Sequence, residues 1–154
     1  MHGKTNQINR YNQHGVQVRL DHVAIAVDSP RLDELLKFFA ELGLQSDHQE
    51  SVPDQGVVTH FLKADAPEMN LELLEAVDPG GTVARFLKTR GPGIHHLSFE
   101  VITGGLDTLC EGLRQRGYRL VYDAARAGAH GMRINFVHPA SAGGILVELS
   151  ERKP

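Results

Sequence analysis

The chain has 154 residues, enough for one domain or for two small modules sharing a core. Its 41% hydrophobic and 23% charged residues are those of an ordinary globular protein, and a net charge of -3 argues against nucleic acid as a partner. No run of about 18 apolar residues is present, so no membrane-spanning helix is expected.

Residues 1–18, MHGKTNQINRYNQHGVQV, are polar and lack the apolar segment of a secretory signal. They read as a flexible N-terminal tail that joins the first strand near Val16. From Leu20 the pattern becomes regular. Val23, Ile25 and Val27 alternate as in a half-buried strand. An amphipathic helix is expected from about Pro30, because Leu32, Leu35, Leu36 and Phe39 fall three or four apart and share a face. Gly43 is suited to end it, since a left-handed residue after a helix costs glycine little. Strands are expected at about 45–51, 57–64 and 70–77, with a turn at Pro53-Asp54-Gln55-Gly56. A short helix over 82–90 leads to the turn Gly91-Pro92-Gly93.

The same grammar then returns. LDHVAIAVDSPRLDELLKFFAELGL from Leu20 aligns without a gap on IHHLSFEVITGGLDTLCEGLRQRGY from Ile94. His22 falls on His96, Val27 on Val101, Leu32 on Leu106, Leu35 on Leu109 and Gly43 on Gly117, each pair 74 positions apart. A second helix is expected from about Gly105, and strands at about 119–122, 132–138 and 144–150, with turns at 128–131 and 138–144. The expected fold is α+β. Two tandem βαβββ modules, 19–80 and 93–152, form a single domain over 19–152, joined by the helix 82–90, with their sheets facing each other across a cleft. The single Cys110 lies in the second helix, where it reads as a buried small hydrophobe. It has no partner for an internal disulfide, which fits a reducing cytoplasm.

The last strands repeat as well: LELLE (71–75) resembles VELSE (147–151), placing Glu72 opposite Glu148. Each module therefore offers one His on its first strand and one Glu on its last. His22 shares its strand face with the small residues Ala24 and Ala26, and His96 shares its face with Ser98 and Glu100. Carboxylates flanked by aliphatic strand residues need a partner inside the fold, and a divalent cation would be one. A single His–Glu pair is more often a satisfied core residue and a solvated edge. A pair duplicated at matched places points to a metal site. Two imidazoles and two carboxylates suit Co, Ni, Zn, Mn or Fe(II) with two open coordination positions.

From Leu20 to Glu151 the sequence resembles methylmalonyl-CoA epimerases, a family of the vicinal-oxygen-chelate superfamily. The stretches that carry the resemblance are LDHVAIAV, VPDQGV, LELLE, VARFLKTRGPGIHHLSFEV, GAHG, and HP followed by GGILVEL. The resemblance implies the paired-module fold, a divalent metal that is often cobalt, a homodimer, and an acyl-CoA substrate whose 2R and 2S forms are interconverted. Carried over by position, the metal ligands are His22, Glu72, His96 and Glu148. Glu148 also matches a family carboxylate proposed as one catalytic base.

Epimerisation removes the proton on the carbon between a thioester and a carboxylate and returns one to the other face. The enolate formed on the way needs electrostatic stabilisation, and two bases would serve the two faces. Some bacterial members have a Glu as second base in the strand after the QGV turn. Thr59 stands there in this chain, and threonine takes up no proton at neutral pH. Glu50, His60 and His130 lie nearby in sequence, of which His130, in the glycine-flanked GAHG loop, is better placed but reads equally as a turn residue, and Glu148 alone with a water is the alternative to a second base. The phosphates of an acyl-CoA would need cations, and Lys63, Arg85, Lys88, Arg90, Arg126 and Arg133 are available. Glyoxalase I, a lactoylglutathione lyase on the same scaffold, shares the His, Glu, His, Glu set and is the nearest alternative. An enzyme acting on another acyl-CoA and a non-catalytic binder of the same fold are more distant ones.

Overall fold

The computed structural model describes residues 15–64 and 70–153. Strand β1 (Gln17–Val27) is followed by helix α1 (Ser29–Glu41), strands β2 (Gln45–Val52), β3 (Val57–Lys63) and β4 (Asn70–Ala76), and helix α2 (Thr82–Arg90). The second module comprises β5 (Gly93–Thr103), α3 (Leu106–Gln115), β6 (Arg126–Ala127), β7 (Arg133–Val137) and β8 (Val147–Glu151). β1 starts at Gln17 and Val16 is buried, so packed residues extend back across the tail boundary expected at 18. Residues 1–14 of that expected tail lie outside the described residues.

Two expectations need correction. The modules do not present separate sheets to each other. β1 pairs antiparallel with β5, and the strands form one continuous sheet in the order β2-β3-β4-β1-β5-β8-β7-β6. The cleft is the inside of that curled sheet. Nor is there a strand at 119–122, where Leu120 makes only an isolated bridge to Val137. Backbone bonds tie Arg119 and Val121 to His138 and Phe136, and beyond them side chains take over: Arg114 Nη2 donates to the carbonyls of Tyr122 and Asp123, and the Asn135 amide both donates to Tyr122 O and accepts from Tyr122 N. The strand beside β7 is the short β6.

Alternation sorts each strand into two faces. On the outer face of the first module, Leu32, Leu35, Leu36 and Phe39 of α1 pack on Ile25, Val27, Leu62, Leu71 and Leu73. Asp28 caps α1 by accepting from Arg31 N, and Gly43 follows it at φ 81°. In the second module α3 contributes Leu106, Leu109 and the buried Cys110, packed with Val101, Val137 and Leu149.

The inner face carries Ala24, Ala26 and Leu74, and α2 lies over them with Val83, Phe86 and Leu87. The two alanines make room for that helix. The next inward-facing residues along β1 and β4 are His22 and Glu72, where α2 no longer covers the sheet.

The turn into β3 rests on Gly56, at φ 66°, whose carbonyl accepts from both Val77 N and Asp78 N. A Cβ there would stand 2.6 Å from Asp78 Cβ. Gly56→Ala is expected to cost at least about 2 kcal/mol, from left-handed backbone and overlap together, read as a lower urea midpoint at unchanged slope.

Candidate metal centre

The register of the four central strands brings the duplicated residues together. Ala24 of β1 lies beside Glu72 of the parallel β4, and beside His96 of β5 on its other side. His22 pairs with Ser98, and Ser98 with Glu148 of the parallel β8. Adjacent strands β4, β1, β5 and β8 thus each point one donor residue into the same hollow.

His22 Nε2 stands 3.2 Å from His96 Nε2, 3.4 Å from Glu72 Oε2 and 3.9 Å from Glu148 Oε1. Donor atoms of His22, His96 and Glu148 all lie within 4.8 Å of one another, the one such group of three or more among the described residues. Glu72 joins them through its contact with His22 and lines the same cavity, of about 60 Å³. His22, His96 and Glu148 are buried.

This arrangement fits a divalent cation. Two imidazole nitrogens each about 2.0–2.1 Å from one ion, subtending an octahedral or tetrahedral angle, stand roughly 2.8 to 3.4 Å apart, and the two Nε2 atoms here are 3.2 Å apart. Two neutral lone pairs at that distance repel unless a proton or a cation lies between them.

The surrounding groups prepare the donors. Asp21 Oδ2 lies 2.8 Å from His22 Nδ1, which places the ring proton on Nδ1 and leaves Nε2 for a metal. The hydrogen bond to His22 in turn holds the Asp21 carboxyl below its usual range. Burial opposes protonation of His22, but Asp21, Glu72 and Glu148 outweigh it and raise its pKa. His96 is held well below the usual range by burial, with His22 and His95 adding to the effect. Burial pushes Glu72 up to about 7, against the attraction of His22 and with the help of Glu148 and Asp21. Burial also raises Glu148, whose Oε1 accepts a 2.8 Å hydrogen bond from Ser98 Oγ.

Other candidates go elsewhere. His60 Nε2 pairs with Glu75 Oε2 at 3.0 Å, away from the centre. Glu100 is buried between Arg19 and Arg152, a satisfied ion pair. His95 packs edge-on to Phe86 of α2 and sets its Nδ1 2.9 Å from His96 Nδ1. Thr59 and His130 do line the cavity. Arg133 is engaged by Asp107 and Glu151, and Arg126 lies over the Tyr122 ring. The cations on the larger cleft next to the centre are Lys63, Arg152 and Lys153, of which the last two were missed in the sequence. So were Asp21 and Ser98. The repeat sets Asp21 opposite His95, each just before a histidine ligand, and Ser98 was marked only by its place on the His96 face.

Residues 21–136 match the family model of the Glyoxalase/Bleomycin resistance protein/Dioxygenase superfamily. The chain is 36% identical over 138 residues to the ethylmalonyl-CoA/methylmalonyl-CoA epimerase of Cereibacter sphaeroides, covering 86% of this chain and 97% of that protein. The crystal structure of methylmalonyl-CoA epimerase from Mycobacterium tuberculosis superposes with a TM-score of 0.79 at 41% identity, over 88% of each chain. A Streptomyces coelicolor methylmalonyl-CoA epimerase variant, in complex with 2-nitronate-propionyl-CoA, superposes with a TM-score of 0.77 at 33% identity, over 88% of this chain and 98% of that one. The chain belongs to the glyoxalase/bleomycin resistance protein/dioxygenase superfamily and, within it, to the methylmalonyl-CoA epimerases.

Proposed function

We propose that the protein interconverts the 2R and 2S forms of methylmalonyl-CoA, with a divalent cation, cobalt by preference, held by His22, Glu72, His96 and Glu148. The observation that carries this reading is the delivery of one donor from each of four adjacent strands into a single cavity, in a chain whose relatives are epimerases of this substrate. When bound, the cation supplies Lewis-acid stabilisation of negative charge developing on the substrate oxygens.

The chain's own residues do the rest. Glu148 takes the C2 proton, a role for a positioned carboxylate whose pKa burial raises. Ser98 fixes that carboxylate by its hydrogen bond to Oε1. Asp21 fixes His22. Phe136, edge-on to His96 at 5.8 Å, and α2 close the inner end of the groove against water.

The acyl-CoA lies in the adjoining cleft of about 550 Å³, whose cations are Lys153, Lys63, which also pairs with Asp47, and Arg152, which also pairs with Glu100. The protein is taken to act as a homodimer, for which the exposed Val18, Leu20 and Ile102 on the paired strands β1 and β5 supply apolar surface. A cytoplasmic location is in keeping with a single cysteine, the buried Cys110, that has no partner for an internal disulfide. No helix among the described residues is long and apolar enough to cross a membrane.

The test is substrate choice. Purified protein loaded with Co²⁺ is expected to epimerise methylmalonyl-CoA and to leave the methylglyoxal–glutathione hemithioacetal untouched. Turnover of the hemithioacetal alone would replace this reading with a lyase.

A further inference from the structure

Thr59 leaves one face of the reacting carbon without an evident base, and the structure offers a replacement. Three titratable side chains line both the metal cavity and the larger cleft: Asp21, Glu72 and His130. Asp21 is committed to His22 Nδ1, and Glu72 approaches His22 Nε2. His130 belongs to a different network.

That network is built around a strained residue. His130 has φ 53° and ψ 25°, and it is the one non-glycine residue with positive φ among the described residues. Such a conformation persists where its surroundings over-determine it, and it is concentrated at functional sites. Here the His130 backbone N–H donates to Glu50 Oε2 at 3.1 Å. Its ring lies 4.3 Å from that of Phe61, whose ring is also stacked on His48 at 4.4 Å and 13°. His130 Nε2 is 2.7 Å from His48 Nε2, and His48 Nδ1 is 2.7 Å from Asp47 Oδ2. His48 and Glu50 lie on β2, at one edge of the sheet, and His130 lies between β6 and β7 at the other. The two edges meet through this contact.

The hydrogen bonds assign the protons. Asp47 is ionised, held so by Lys63 at 2.9 Å and then by His48, and can only accept. His48 Nδ1 therefore carries the proton, its Nε2 accepts, and His130 Nε2–H is the donor. A neutral His130 then keeps its lone pair on Nδ1. A proton taken up at Nδ1 makes the ring cationic, and the charge is offset along the chain to His48 and Asp47.

We propose that His130 is the second proton-transfer group of the epimerase, serving the face of C2 opposite to that served by Glu148, with His48 and Asp47 as its positioning residues. This rests on the epimerase reading above. In one direction the C2–H bond breaks, its electron pair stays in the enolate, and Glu148 takes the proton. Protonated His130 then delivers a proton to the other face, forming the new C2–H bond. In the reverse direction His130 removes the proton and Glu148 returns one. Each turnover leaves one group with a proton gained and the other with one lost, and exchange with solvent restores both, at His130 by way of the exposed His48.

The informative variant is His130→Gly, because glycine adopts the left-handed conformation without strain and the fold is retained. With Co²⁺ bound, inversion at C2 is expected to fall by about 100-fold or more. In D₂O one epimer should still exchange its C2 proton at the wild-type rate while the other does not. Added imidazole should restore inversion. His48→Gln should lower kcat about tenfold with KM unchanged. Undiminished inversion in His130→Gly overturns the proposal. So does equal loss of exchange from both epimers with a wild-type Co²⁺ absorption spectrum, which would make His130 structural. Wild-type protein that neither epimerises nor exchanges methylmalonyl-CoA would instead sink the epimerase reading itself.

Discussion

Stripping the divalent cation from the protein is expected to abolish epimerisation and to lower the unfolding temperature on the order of 10 °C, both effects being reversed by Co²⁺. The size follows from linkage. A ligand at about 1,000 times its dissociation constant stabilises the folded state by about 4 kcal/mol, and a domain of this size gains roughly 2–4 °C per kcal/mol. The sign follows from the donors. Without the ion, His22, His96 and Glu148 are buried beside Glu72 with no common partner, and burial holds the Glu72 carboxyl up at about 7. Metal binding requires the ionised carboxylate, so each ion bound must displace whatever proton Glu72 holds. Affinity is therefore expected to rise as pH climbs through about 7 and to fall below it. Calorimetric titration of the stripped protein at several pH values, beside thermal melts with and without chelator, checks both statements. Melts indifferent to chelator and to added Co²⁺ would remove the metal from the account.

Glu148→Gln is expected to slow epimerisation by about 10²- to 10⁴-fold, the range that a positioned general base contributes. Glutamine has nearly the same shape, and its amide oxygen can still accept from Ser98 Oγ, so the buried pair stays satisfied. The variant also removes a carboxyl that burial disfavours in its charged form. Its metal-free melting temperature should accordingly be no lower than that of the wild type. Loss of one ligand weakens the ion as well, and saturating Co²⁺ separates that effect from loss of the base. Proton–deuterium exchange at C2 of methylmalonyl-CoA, followed by NMR, reads the outcome. Exchange unchanged from wild type at both epimers would take Glu148 out of the base role.

The duplicated pattern made the centre legible in the sequence. His22 and His96 fall at the same point of two matched strands, and so do Glu72 and Glu148. Period-two alternation told which face they share, and the register delivers them to one hollow. Helix α2 was expected at 82–90, but its place over Ala24 and Ala26 was not, because small residues do not say what fills the room they leave. The strand expected at 119–122 failed for a local reason. Its backbone bonds to β7 end at Arg119 and Val121, and from Tyr122 onward the side chains of Arg114 and Asn135 supply the partners, which a short apolar run does not announce. The joining of two sheets into one depends on pairing between β1 and β5, whose alternation is equally compatible with facing sheets. The His48–His130 contact spans 82 positions and joins a strand to a loop, and no repeat announces it.

The antiparallel seam between β1 and β5 has a bearing on how the molecule is made. Each half-chain holds only half of the ion's donors, so neither half alone can carry the binding pocket. Ion capture must wait until segments some seventy positions apart have found each other, and the ion then rewards only chains that have done so. Metal uptake during refolding would thus be a late event, timing the docking of the halves and not the formation of either one.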